Sequence, residues 1–217
     1  MILIKLWWSI IAPKNKLGYI DKIYLQSFSK KLWTNNNILV HGTGNIWHWF
    51  IEKYGLSGKT YKVGREILDR YFNIIDSYLP WYTRERYTNS TDRRRIKQNT
   101  IIGGDITTDQ KIISSDRIFA EILARKDISL AIIATDVDGV LDDNNNIIQD
   151  IDSSNIHTIH FWEKAGDVTW SMKEKIAQLI EHNAWSKKTV RICNGYNLDN
   201  IQHIIKTGQW VGTRVLL

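Results

Sequence analysis

Residues 38–48 read ILVHGTGNIWH, and this stretch sets the pattern from which the fold is predicted. Its apolar start, 38–40, is typical of a short buried strand, and a polar loop containing glycines follows it directly. At 130–140 and 189–195 apolar runs again end in polar or glycine-containing loops, and at 2–9 a mostly apolar run leads into Trp7, Trp8 and Ser9. Short buried strands with loops at their carboxyl ends therefore occur along the chain, although the sequence contains no internal repeat.

Helical segments lie between these strands, because apolar residues recur there at three- and four-residue spacing. The predicted helices cover 21–32, 66–79, 116–124, 172–183 and 198–206, and the chain closes with a strand at 211–217. Strands that alternate with helices predict an α/β fold, a three-layer αβα sandwich with a mainly parallel central sheet. In such sheets ligands bind beyond the carboxyl ends of the strands, where the polar loops lie.

Composition excludes several classes of protein. With 217 residues, 43% hydrophobic and 24% charged, the chain resembles a globular domain and not a disordered one. No apolar run reaches the roughly 18 residues of a membrane span, and the N-terminus lacks the features of a signal peptide. The single cysteine, Cys193, allows no internal disulfide, so we expect a reducing cytoplasm.

The net charge of +6 favours anionic partners, which are phosphates, nucleotides or nucleic acid. Residues 84–97 are rich in arginine and poor in apolar side chains. We interpret them as a solvated face or a flexible lid. We expect no nucleic-acid binding, because basic and aromatic residues do not interleave there as in RNA-binding motifs.

Four strand-end segments carry the functional signal. They read KLWWS at 5–9, HGTGNIWH at 41–48, TDVDGV at 135–140 and DVTWSMKEK at 167–175. Together they resemble the amino acid kinase family, most closely its isopentenyl phosphate kinase branch. The motifs of that branch are K-[IL]-G-G-S, H-G-G-G-S-F-G-H, T-D-V-D-G and D-V-T-G-G-M-x-x-K. Their order is kept over nearly the whole chain.

The resemblance implies an ATP-dependent kinase that phosphorylates a small anionic acceptor. The acceptor is expected in an N-terminal lobe, 1–128, and ATP in a C-terminal lobe, 129–217, of one continuous domain. Isopentenyl phosphate is the expected acceptor, a phosphonate of the fosfomycin type is the nearest alternative, and another small acid used by the family is a further one. Mg²⁺ is expected to be held mainly by the nucleotide phosphates, with no metal site formed by the protein. The resemblance is also compatible with a homodimer, and it gives no role to a membrane.

Carried over residue by residue, the resemblance assigns three groups of site residues. The expected catalytic residues are Lys5, Lys14, His48 and Asp116. The expected ATP-binding residues are Lys5, Trp7, Trp8, Ser9, Asp136, Asp138, Gly139, Trp170 and Lys175. The expected acceptor-binding residues are Gly42, Thr43, Gly44, His48, Gly104 and Asp105. Structural alternatives stay open: Lys5 and Lys175 as solvated side chains, His48 as a structural histidine, and the two aspartates of the turn as turn formers.

Tryptophan replaces glycine at four of the family positions, Trp7, Trp8, Trp47 and Trp170. Glycine supplies positive φ and room for phosphate, and an indole supplies neither. The chain has 10 Trp and 13 Gly. Some bacterial lineages read the codon UGA as glycine, whereas other genetic codes read it as tryptophan. We hypothesise that these tryptophans are UGA codons translated with the wrong code. The other hypothesis is a pseudokinase, a binding or scaffold protein whose phosphate site is filled by indoles.

Overall fold

The computed structural model describes residues 1–12, 16–32, 36–55, 57–107, 109, 111–160, 172–183, 186–209 and 211–217. The predicted α/β fold with a mainly parallel central sheet is confirmed. Its main sheet has eight strands in the order β3-β4-β2-β1-β7-β9-β10-β8, and a separate hairpin pairs β5 with β6. These strands are β1 (Ile2–Leu6), β2 (Asn37–His41), β3 (Thr83–Arg84), β4 (Thr100–Gly103), β5 (Asp105–Ile106), β6 (Ile112–Ile113), β7 (Leu130–Thr135), β8 (Asp150–Ile151), β9 (Thr189–Asn194) and β10 (Thr213–Leu216).

Strands β3, β4, β2, β1, β7 and β9 run parallel to one another, and β10 pairs antiparallel with β9. The carboxyl ends of β1, β2, β4 and β7 therefore meet at one edge of the sheet. The four predicted polar loops that fall on described residues follow strands of this sheet.

Helices cover both faces of the sheet. They are α1 (Trp8–Ile11), α2 (Lys22–Leu32), α3 (Gly44–Tyr54), α4 (Lys59–Ser77), α5 (Ser115–Leu123), α6 (Met172–Asn183) and α7 (Leu198–Thr207), with a 3₁₀ helix at Ser90–Arg94. The predicted helices all exist, although α4 begins seven residues before the predicted start at 66. Helices α1 and α3 were not predicted, because each begins inside a loop motif whose glycine or polar residues hide the helical spacing.

Strand β1 shows how the sheet divides the core. Its Ile4 packs into the cluster formed with α1, α2, α3, α4 and α7, and its Leu3 packs into the cluster formed with α5 and α6. Alternate side chains of a strand share a face. Lys5 therefore shares the face of Leu3 and points toward α5. Cys193 is fully buried in the first cluster.

Composition predicted a solvated face or a flexible lid for the arginine-rich stretch 84–97, and most of its side chains are exposed or half-buried, with several arginines in ion pairs. Arg84 pairs with Asp76, Arg86 pairs with both Asp69 and Asp105, and Arg95 pairs with Asp92. Within it, the side chain of Asn89 caps the 3₁₀ helix. The sequence could not reveal these contacts, because most of the acidic partners lie elsewhere in the chain. Among the helices of the described residues, none combines the length and the apolar character needed to cross a bilayer.

Candidate functional site

One cavity of about 600 Å³ opens at the carboxyl edge of the sheet. It lies between the loops that follow β1, β2 and β4 and the helices α5 and α6. Many of the residues that line it were assigned to the site from the sequence: Lys5, Trp7, Trp8, Gly42, Thr43, His48, Gly104, Asp116 and Lys175. The tertiary structure thus brings residues separated by up to 170 positions to one place.

A buried ion pair joins Lys5 to Asp116 across the cavity wall. The Lys5 side chain is only 3% exposed, so it is not the solvated lysine of the structural alternative, whereas Asp116 is 35% exposed. Asp116 lies in the first turn of α5, whose N-terminus is capped by the Ser114 hydroxyl oxygen accepting from the Arg117 amide at 3.2 Å. The helix dipole there adds to the stabilisation of a carboxylate.

The electrostatics of this pair favour the ionised form of the Asp116 carboxylate. Burial alone would raise the pKa of Asp116, but the charges of Lys5 and Lys175 bring it below its ordinary value. Burial lowers the pKa of the Lys5 ammonium, and the carboxylate of Asp116 opposes that change. One carboxylate thus lies between two lysines, which leaves an excess of positive charge facing the cavity. Such an excess suits a phosphate group.

Lys175 approaches this pair from α6, and its Nζ lies 4.5 Å from the centroid of the Trp7 ring. An ammonium over an indole face makes a cation–π contact. The indole Nε1 of Trp7 is buried and has no hydrogen-bond partner among the described residues. Trp7 therefore occupies the space beside the lysine that the family resemblance assigns to nucleotide phosphate.

The glycine-containing loop after β2 leads directly into α3. The N-cap residue of this helix is Thr43, whose side chain makes no capping hydrogen bond. The first amides of a helix have no partner within the helix, and they carry partial positive charge. His48 lies four residues after Gly44, so the two share one face of α3. Its exposed ring lies 6.1 Å from that of Trp8, measured between centroids.

Gly42 and Gly44 lie where a side chain would collide with neighbours. A Cβ on Gly42 would lie 2.7 Å from the Cβ of Trp8, so the loops after β1 and β2 are in contact. Gly44 has φ +77°, and a Cβ there would collide with the hydroxyl of Tyr71. These two glycines are required by close approach and, for Gly44, by backbone conformation.

Other expected site residues lie outside the lining of this cavity. Ser9, Gly44, Asp105, Asp136, Asp138 and Gly139 lie at the same edge of the structure but do not line it. Asp105 is buried and paired with Arg65 and Arg86, which anchors the start of β5. Lys14 and Trp170 lie outside the described residues.

The turn after β7 is joined to the last strand. Asp138 accepts a hydrogen bond from the Asn194 side chain at 2.9 Å. The amide of Val140 donates to the Thr213 hydroxyl at 2.8 Å, and a Cβ on Gly139 would lie 2.9 Å from that same oxygen. Thr213, the first residue of β10, therefore holds this turn against the sheet.

The tryptophans fit the backbone better than the sequence suggested. Trp7 has φ −67°, and neither Trp8 nor Trp47 has a positive φ. The argument that these positions need the φ of glycine therefore does not hold, and only the argument from room remains. Trp47 is 3% exposed and stacks on Phe50 with centroids 5.9 Å apart. Its indole is largely a core side chain, although it touches the cavity.

Sequence reasoning missed one wall of the cavity. Gln178 and His182 of α6 and Arg117 and Glu121 of α5 line it as well. The signal was present in the helical spacing, because 178 and 182 follow Lys175 by three and seven residues and so share its face. The pairing of α5 with α6 that brings both helices to one groove was not visible in the sequence.

Comparisons with known proteins agree with this geometry. The model of the amino acid kinase family matches residues 82–194, which is more than half of the chain. The isopentenyl phosphate kinase of Methanocaldococcus jannaschii is 29% identical, with 99% of this chain and 98% of that protein covered.

Solved structures show the same fold. The isopentenyl phosphate kinase of T. acidophilum, solved as a product complex, matches with a TM-score of 0.73 at 19% identity. A uridylate kinase from Archaeoglobus fulgidus matches with a TM-score of 0.68 at 17% identity. Each match covers 99% of both chains. At these identities the structural matches establish the fold alone.

Proposed function

Because the chain belongs to the amino acid kinase family, and is therefore a phosphotransferase of the kinase class, we propose that it transfers the γ-phosphoryl group of ATP to isopentenyl phosphate. The observation that carries the proposal is the placement of Lys5, Asp116 and Lys175 beside the amino end of α3 in one cavity. The similarity to isopentenyl phosphate kinases supports the choice of acceptor. A pseudokinase, the other hypothesis from the sequence, finds no support in the comparisons.

The proposed chemistry is an in-line displacement. A phosphate oxygen of the acceptor forms a bond to the γ-phosphorus, the bond from that phosphorus to the β–γ bridging oxygen breaks, and ADP leaves with the bond electrons. No general base is needed, because the second pKa of a phosphate monoester is about 6 and the attacking oxygen is already ionised at neutral pH. Catalysis then rests on positioning and on neutralisation of charge.

The residues of the cavity divide this work. Lys5 and Lys175 neutralise charge on the transferring phosphoryl group, and Asp116 orients Lys5 through their ion pair. His48 and the first amides of α3 bind the acceptor phosphate. The amino end of a helix is suited to this role, because its N–H groups and its dipole both favour an anion.

The apolar part of the cavity supports an acceptor that carries a hydrocarbon tail. Ile112, Ile113, Phe119 and Ile133 line it on the side of β6, α5 and β7. Burial of a five-carbon tail against such side chains contributes about 0.8 kcal/mol per methylene. A more polar acceptor would leave this wall without a matching partner.

The described residues contain no group of three or more metal-ligating side chains. By similarity to the family, we propose that Mg²⁺ is held mainly by the phosphates of ATP, where it neutralises charge on the triphosphate. We propose that Asp136 and Asp138, in the turn that follows β7, contribute to nucleotide binding.

The test compares the chain as written with a variant in which Trp7, Trp8, Trp47 and Trp170 are changed to glycine. We expect formation of ADP with isopentenyl phosphate in the glycine variant, and weak or no ATP binding by calorimetry in the chain as written. Trp81→Gly is the matched control, because Trp81 is 53% exposed and does not line the cavity.

Four results would count against the proposal or the hypotheses linked to it. Turnover only with a phosphonate would replace the acceptor, and absence of turnover with every acceptor would remove the kinase assignment for this site. UGG codons at all four positions in the gene would refute the hypothesis on the genetic code. Unchanged turnover in Lys5→Ala and His48→Ala, made in the glycine variant, would refute the roles given to these side chains.

A further inference from the structure

His41 ends β2 immediately before the glycine loop, and it belongs to no role assigned so far. Its ring is only 1% exposed and is held from three directions. Nδ1 lies 2.7 Å from the carbonyl oxygen of Gly42, Nε2 lies 2.9 Å from Nη1 of Arg84, and the ring meets Phe72 edge to face at 5.2 Å. These contacts fix the His41 ring next to the glycine loop.

The neighbours determine which nitrogen carries the proton. A guanidinium group only donates hydrogen bonds, so Nε2 of His41 accepts from Arg84. Nδ1 then carries the hydrogen and donates it to the Gly42 carbonyl. Burial, and next the charge of Arg84, lowers the pKa of His41 to about 3. The ring is therefore neutral in a single tautomer over the physiological range.

Arg84 is itself fixed. Its Nε donates to Asp76 at 3.0 Å, its Nη2 makes a second bond to the same carboxylate, and its Cζ lies 4.5 Å from the centroid of Phe72. The space for this arrangement depends on Gly103, since a Cβ there would lie 2.9 Å from Cε1 of His41. A chain of contacts thus runs from Asp76 through Arg84 and His41 to the glycine loop.

The hydrogen bond from His41 to the Gly42 carbonyl also sets the direction of the Thr43 N–H, which belongs to the same peptide group. The peptide bonds of the described residues are trans, and in a trans peptide the C=O and N–H groups point in opposite directions. The carbonyl of Gly42 faces His41, which lies beneath the loop. The N–H of Thr43 therefore points away from His41, and Gly42 and Thr43 both line the cavity.

We propose that His41 is a positioning residue: its Nδ1–H holds the Gly42–Thr43 peptide with the Thr43 amide directed at the phosphate of the acceptor. This inference rests on the proposed function for the identity of the site, and it adds a role for His41, which the motif comparison leaves without one. Loss of the Nδ1 donor frees the peptide to rotate, and the amide is then no longer prearranged for the anion.

Two substitutions of His41 test the contributions of its two ring nitrogens separately. In His41→Asn the side-chain N–H₂ replaces Nδ1 and keeps a donor for Gly42, but the contact with Arg84 is lost. In His41→Gln the amide oxygen replaces Nε2 and keeps an acceptor for Arg84, but the donor for Gly42 is lost. Each variant is the control for the other, because both replace the buried imidazole ring with a carboxamide.

The primary measurement is the ¹⁵N–¹H spectrum of the full chain during titration with inorganic phosphate. We expect the Thr43 amide proton to move downfield in the original chain and in His41→Asn, and its response to fall at least about threefold in His41→Gln. An equal response in both variants, or no response in the original chain, would overturn the inference. This readout does not depend on turnover, so it is distinct from a failure of the proposed function.

A kinetic measurement completes the test in the glycine variant of the chain. His41→Gln is expected to raise the KM of the acceptor about tenfold, as for loss of a hydrogen bond to a charged group, and to leave the KM of ATP unchanged. Equal changes in both KM values would indicate a merely structural role. If His41→Gln does not fold, His41→Leu is the second variant, since it also removes the Nδ1 donor to the Gly42 carbonyl: an undiminished Thr43 response there would overturn the inference.

Discussion

Asp116→Asn tests the buried ion pair at the centre of the proposed site. The substitution keeps the shape of the side chain but leaves the ammonium of Lys5, which is 3% exposed, without its carboxylate. Removal of one partner of a buried pair costs about 3–5 kcal/mol. The loss has an upper bound, because neutralising an ordinary lysine at pH 7 costs about 4.6 kcal/mol. We therefore expect a loss of about 3–4.6 kcal/mol in the free energy of unfolding.

Lys5→Met is the matched variant. It removes the buried charge and leaves Asp116, which is one-third exposed and still attracted by Lys175. Its cost is expected to be only about 1 kcal/mol, typical of a partly exposed carboxylate that loses a partner. For a chain of this length the difference corresponds to about 4–14 °C in Tm. Denaturant unfolding followed by circular dichroism measures both variants under one set of conditions.

The pH dependence gives an independent check of the cause. Asp116→Asn removes an interaction that opposes the lowering of the Lys5 pKa, so that pKa falls further. Between this folded value and the ordinary value near 10.5, the unfolded chain binds more protons, and stability rises with pH. Asp116→Asn should therefore gain more stability between pH 7 and pH 10 than Lys5→Met/Asp116→Asn, in which residue 5 does not titrate. Equal gains in the two variants, or a loss in Asp116→Asn no larger than in Lys5→Met, would refute the reasoning.

Three further predictions concern structural positions. Gly212→Ala should lower stability more than Gly208→Ala in thermal unfolding, because both have positive φ but only at Gly212 would the Cβ collide with a backbone oxygen, that of Ile192; similar Tm values would contradict this. Asp105→Asn should cost about 2 kcal/mol in denaturant unfolding, since two partly exposed arginines lose a buried carboxylate, and unchanged stability would rule out that anchor. Burial would raise the pKa of Asp92, but hydrogen bonds to its carboxylate outweigh burial and lower it. The contribution of this carboxylate to stability is therefore complete above about pH 4 and is lost as the pH falls further. Asp92→Asn should flatten acid unfolding curves, and an unchanged curve would contradict this.

Much of the fold was accessible from the sequence because it depends on local patterns. Short apolar runs identified β1, β2, β7 and β9, and the spacing of apolar residues placed α2, α5, α6 and α7 within a few residues of their ends. The predictions failed where local patterns are weak. The hairpin of β5 and β6 and the short edge strand β8 each have only two residues per strand, too few for any alternation to be seen.

The candidate site shows the same division. The family resemblance assigned Lys5, His48, Asp116 and Lys175 to the site, and all four line one cavity. The sequence did not reveal that Arg84 reaches His41, because 43 residues separate them and their contact depends on the packing of β3 beside β4. Nor did it reveal that Asp105 is occupied by two arginines.

By itself, the order of apolar runs and polar loops determined that this chain forms a mainly parallel sheet with its chemistry at one edge, because strand burial and loop polarity are properties of neighbouring residues. Which face each side chain takes, which acid meets which base and which peptide group turns toward the cavity were decided only by the tertiary structure. These features depend on strand parity, on the packing of helices against the sheet and on contacts between residues distant in the chain. Their energies exist only once those groups have been brought together and removed from water.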